Sequence, residues 1–153
     1  MKGEKNALVM TYELSRLLDV GKVQKLMDLL HNATGISVSV VNPDGTVLAD
    51  SGMQEICRHF HGMSPDTRQY CRRSEMNIAF EPITGREYSI EKCKNGLVDA
   101  AAPIKVLGQY VGNLVAGQFF VEQPDIEFFK QQALRSGFDE SGYIKSLSNV
   151  PVI

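Results

Sequence analysis

Cysteine is scarce in this sequence and never closely paired. Three cysteines stand among 153 residues, and none falls in a Cys-x-x-Cys pair. An odd number at wide spacing excludes a secreted disulfide framework. Reduced thiols in a cytoplasmic protein are the expectation. No apolar run approaches the roughly 18 residues that a membrane span needs, and no secretory leader is legible. Neither sign of charge dominates, since the formal net charge is −2. A basic surface for nucleic acid is therefore not expected of this segment. The chain also lacks a Walker loop, a zinc-protease motif and a nucleophile elbow. No nucleophile–base pair is legible either, which points away from an enzyme. Internal repeats and low-complexity tracts are missing too.

What is present is an ordinary globular composition, 43% hydrophobic and 22% charged, long enough to bury a core without staples. Residues 1–10 read as a flexible start and 11–149 as a single domain. The last residues, Val150-Pro151-Val152-Ile153, carry no domain-ending signal, so the segment reads as a module whose neighbour follows.

The apolar periodicity alternates between helix and strand. A short apolar patch at Tyr12 to Leu18 precedes a helix capped by Asp19, with Val23, Leu26, Met27, Leu29 and Leu30 at helical spacing and Gly35 as its stop. Strands are predicted over 36–41, 46–49, 87–92, 97–106 and 110–121. The first two are joined by the turn Asn42-Pro43-Asp44-Gly45. Between them and the later strands, a short helix is expected over Met53–Phe60 and a longer one over Asp66–Phe80, stopped by Pro82 and Gly85. A last helix begins at Gln123-Pro124-Asp125 and closes at Gly137, with a further turn or two of helix before Leu147. The pattern gives an α+β domain with an antiparallel sheet of about five strands. Leu97 to Ala102, free of polar alternation, reads as a strand buried on both faces.

Chemistry-bearing residues cluster around that strand. Cys57 and His61 are four apart and share a face on a helix. With Cys71 and Cys93 they make a Cys3His set suited to zinc or, less often, an iron–sulfur centre. The alternative is that the cysteines are small buried hydrophobes. Asp99 stands inside an apolar strand, where an acid must be hydrogen-bonded or paired. It is either a structural acid or a polar anchor for a ligand, and Gln118 poses the same question on the next strand.

The string Cys93-Lys94-Asn95-Gly96-Leu97-Val98-Asp99, followed by Pro103-Ile104, Gly108, Val111-Gly112 and Gly117-Gln118, resembles the PocR sensory domain. Asn42-Pro43-Asp44-Gly45, Ile56-Cys57 and Tyr70-Cys71 fit the same pattern in the same order. The resemblance implies a variant PAS-like sensor, with helices over one face of the sheet and a ligand pocket between them. It also implies a place at the front of a prokaryotic transcription regulator or sensor kinase, the output domain lying outside this chain. The implied ligand is a small hydrocarbon derivative such as 1,3-propanediol, a short diol, with no cofactor required. In that pocket the helices would supply Cys57, Phe60 and Cys71, and the sheet Cys93, Asp99 and Gln118. The resemblance groups the three cysteines as a metal, redox or pocket cluster. A homodimer through amphipathic terminal helices is a further expectation, as is the absence of nucleic-acid or membrane contact by this segment.

Overall fold

The structure is a computed structural model that describes residues 12–80 and 87–153. The expected flexible start at 1–10 and the helix stop at Pro82 and Gly85 lie outside the described residues. Five strands form one antiparallel sheet in the order β2-β1-β5-β4-β3. They are β1 (Ser37–Val41), β2 (Val47–Ser51), β3 (Ser89–Lys92), β4 (Val98–Val106) and β5 (Gln109–Phe119). Helices α1 (Leu14–Leu17) and α2 (Val20–Thr34) precede the sheet, and α3 (Pro65–Phe80) stands between β2 and β3. Helices α4 (Ile126–Ser136) and α5 (Glu140–Leu147) follow it.

Local chemistry explains the boundaries. Asp19 caps α2 by accepting from the Lys22 amide, and Gly35 ends it at φ 72°, a conformation that glycine adopts without a Cβ penalty. The β1–β2 turn closes through Asn42 N–H to Thr46 O at 2.8 Å and Thr46 N–H to Asp44 Oδ1 at 2.9 Å. The β4–β5 hairpin turns on Leu107 and Gly108 alone, both at positive φ, the geometry that matches the right-handed twist of paired strands.

Strand register decides which residues share a face, because directly opposed residues point the same way. Val38 and Val40 of β1 face α2 and join Leu14, Met27, Ala49 and Val111 in one core. On the opposite face Ser89, Ala101, Val115 and Ser39 form one row across the sheet. Ser89 and Ala101 are buried there while Ile90, on the α2 side, is 60% exposed. Helix α3, which contacts β3 and β4, therefore lies over the face that holds Ser89, Ala101 and Asp99. A second core gathers Ile56, Cys93, Leu97, Phe120, Phe129, Ala133, Tyr143 and Leu147 beneath α4 and α5. Each large side chain so buried contributes about 1.5–3 kcal/mol.

The structure departs from the sequence reading in two places. The segment expected as a short helix over Met53–Phe60 is a π-helix over Ile56–His61. Gly62 N–H reaches back to Cys57 O at 2.8 Å, and a Cβ on Gly62 would lie 3.0 Å from that same oxygen. The missing side chain permits the wider turn. The strand expected to be buried on both faces is only half-buried at Asp99, Ala100 and Ala102. Helix α2 packs mainly on β1 and β2, and of β4 it is the far end, Ile104 and Val106, that joins its core, which leaves Ala100 and Ala102 less covered.

Candidate functional site

The tight turn at 93–97 sets up the site. Cys93 N–H donates to Leu97 O at 2.8 Å and Gly96 N–H to Cys93 O at 2.9 Å, with Gly96 at φ 101°. This closed loop directs Asn95 inward, where it is fully buried. The Asn95 amide nitrogen donates to Thr67 O at 2.9 Å and approaches Cys71 Sγ at 3.3 Å. Its Oδ1 accepts from Gln132 Nε2 at 3.1 Å.

His61, at the end of the π-helix, is fully buried beside this network. Its Nε2 lies 2.7 Å from the Tyr143 hydroxyl and its Nδ1 3.9 Å from Cys57 Sγ. Gln132 Nε2 stands 3.5 Å from the same His61 Nε2. Thr67 Oγ1 donates to the His61 carbonyl at 2.8 Å. The π-helix, α3, the 93–97 turn, α4 and α5 thus converge on a buried polar cluster. Such clusters are favourable only when their members are satisfied. Burial pulls His61 down to about 4, so the ring is neutral near neutral pH. Burial pushes Tyr143 well above the usual phenol range, so its hydroxyl keeps its proton and pairs with His61 Nε2 as a neutral group.

All three cysteines lie around this centre. Cys57 packs on the second core beside Phe60, and Cys93 belongs to it. Cys71 Sγ lies 3.3 Å from the buried Asn95 amide nitrogen. The Cys93 thiol is pushed up to about 11, first by burial and then by the neighbouring Asp99 charge. Phe60 stacks edge-on against Phe138 and Tyr143 at 5.5 and 5.2 Å.

The sheet residues named from sequence sit differently. The Asp99 carboxylate lies over Gly117, its neighbour across the β4–β5 ladder. Gln118 turns away: its Oε1 accepts from Gln54 N–H at 2.7 Å and ties β5 to the loop before the π-helix. Among the described residues, the expected set of Cys57, His61, Cys71 and Cys93 included, no group of three or more His, Cys, Asp or Glu side chains stands ready to hold an ion as the chain lies here. A cleft of about 160 Å³ opens elsewhere, between Lys92, Gly96 and Val98 and the segment from Phe120 to Phe129. None of the six side chains named from sequence as ligand contacts lines it.

Sequence reading missed Asn95, Thr67, Gln132 and Tyr143. A signal for Gln132 was present, because it stands between Phe129 and Ala133 on the buried side of α4. A polar residue in such a stripe needs a buried partner. Among the described residues three buried side-chain oxygens lack a partner: Ser89 Oγ, Asn113 Oδ1 and Gln132 Oε1. Each unmade hydrogen bond of this kind costs about 1–3 kcal/mol.

Comparison with known proteins places this arrangement. No curated protein matches the chain significantly. Among the described residues no helix is long and apolar enough to cross a membrane. A family model described as the sensory domain found in PocR matches residues 16–153, nearly the whole chain and every residue of the cluster. The chain therefore belongs to the PocR sensory-domain family.

Proposed function

We propose that the domain is a non-catalytic, cytoplasmic receptor module for a small hydrocarbon derivative such as 1,3-propanediol. It would report to the output domain of a transcription regulator or sensor kinase. The family assignment supports a sensory role, and one observation carries the choice of site. This is the buried cluster around His61 and Tyr143, in which Asn95 and Gln132 join elements distant in sequence. A small diol needs two or three polar groups set in an apolar wall. Cys57, Phe60, Cys71 and Cys93 would supply the wall on the helix side. Asp99 is the acidic contact, while Gln118 contributes by holding the π-helix approach in place. A site joined to both α4 and α5 would give binding a route to the following domain, and pairing of two copies would carry the signal further.

Native mass spectrometry of the purified domain tests this, followed by calorimetric titration with 1,3-propanediol. Binding at one site, weakened about tenfold or more in a folded Asp99→Ala variant, is the expected result. Wild-type protein that takes up no short diol would sink the ligand assignment.

A second reading is metal or redox sensing through Cys57, Cys71 and Cys93, and the gathering of three thiols around Tyr143 favours it. Stoichiometric zinc or iron in the same spectrum, or activity-independent thiol oxidation at these positions, would select it instead.

A further inference from the structure

Of the three buried oxygens without partners, only one has its identity locked by backbone. The Thr67 carbonyl can only accept, so Asn95 must turn its amide nitrogen there. Asn95 Oδ1 then faces Gln132 and requires a donor, so Gln132 presents Nε2 to it. Gln132 Oε1 is thereby forced the other way, into a buried position with no partner. Asn113 carries no such constraint, because its neighbour is the Tyr110 hydroxyl, which can give or accept a hydrogen bond. Ser89 can likewise rotate its hydroxyl to either role.

We propose that Gln132 Oε1 is the recognition atom for a hydrogen-bond donor on the ligand, and that the site selects neutral donors against anions. This deepens the sensory reading and rests on it. An amide oxygen can accept but not donate, so a ligand must bring an O–H or N–H to it. Among the described residues the buried polar side chains include no lysine or arginine. Among the described buried side chains a carboxylate or phosphate entering here would find no counter-charge, and Gln132 Oε1 would oppose it. The group recognised at this atom is therefore a neutral O–H or N–H. Gln132 sits on α4, so donor recognition bears directly on the helix that leads to α5.

The test is a matched series titrated into the wild-type domain: 1,3-propanediol, its dimethyl ether 1,3-dimethoxypropane, and malonate. The diol should bind about tenfold tighter than the ether, which offers acceptors only, and malonate should not bind. In Gln132→Met, of similar volume, the diol-to-ether ratio should fall to about one. General loosening of the fold would weaken both ligands together and leave the ratio unchanged. Equal binding of diol and ether by wild type, or preference for malonate, overturns the inference while leaving a sensory ligand in place. An unchanged ratio in Gln132→Met also overturns it. If wild type binds none of the series, the diol reading falls, and this inference with it.

Discussion

The Asp99 carboxylate lies over Gly117, in the space that a side chain on Gly117 would fill. The two residues are register partners on β4 and β5, and the absent Cβ is what admits the acid to the sheet face. Gly117→Ala should therefore displace Asp99 and destabilise the domain by about 1–3 kcal/mol, the usual range for overpacking. Urea unfolding of Gly117→Ala, Asp99→Ala and the double variant gives the coupling directly. If the double variant shows the sum of the two single losses, the contact is not the cause.

Tyr143→Phe keeps the ring contacts with Phe60, Phe129 and Phe138 but removes the hydroxyl that is hydrogen-bonded to His61. A buried imidazole nitrogen left with a poorer partner should cost about 1–3 kcal/mol. Equilibrium denaturation reads the change, and a loss well under that range would mean that Gln132 or water replaces the bond.

Acid should weaken the fold through His61. Its folded-state value is about 4 against an ordinary 6.5, so the unfolded chain binds a proton more readily. The His61 contribution is fully present above pH 6.5 and is lost progressively as pH falls from 6.5 toward 4. A shift of this size corresponds to about 3 kcal/mol. Chemical denaturation from pH 7.5 to 4.5 should show the decline, and His61→Gln should flatten that part of the profile.

The thiols should differ in reactivity. Burial and the Asp99 charge raise Cys93 to about 11, and the thiolate is the nucleophile. Half-buried Cys57 stands beside His61 instead. Iodoacetamide at pH 8 should label Cys57 well before Cys93, with Cys93 reacting only as the domain opens. Peptide mass spectrometry over time measures both rates, and equal labelling would show that the 93–97 turn opens freely.

Much of this architecture was written in local signals. Asp19, Gly35 and Asn42-Pro43-Asp44-Gly45 act on their own neighbours through capping and turn geometry, so their effects were readable in order along the chain. The strands were legible for the same reason, with ends off by a residue or two. The string from Cys93 to Asp99, with Pro103-Ile104 and Gly117-Gln118 after it, carries the family pattern in the sequence alone.

The site itself was decided by tertiary structure. Sequence gave Asp99 and Gln118 the same standing, as polar residues in apolar strands. Register then laid Asp99 over Gly117, while Gln118 bonded to a backbone amide 64 residues away. The short helix expected over Met53–Phe60 is wound as a π-helix over Ile56–His61, closed by the Gly62 amide on Cys57 O. Gln132, His61 and Tyr143 are separated by up to 82 residues, and no periodicity links them. Their meeting depends on how α4 and α5 pack against the π-helix, and that packing arises only when the whole chain has folded around them.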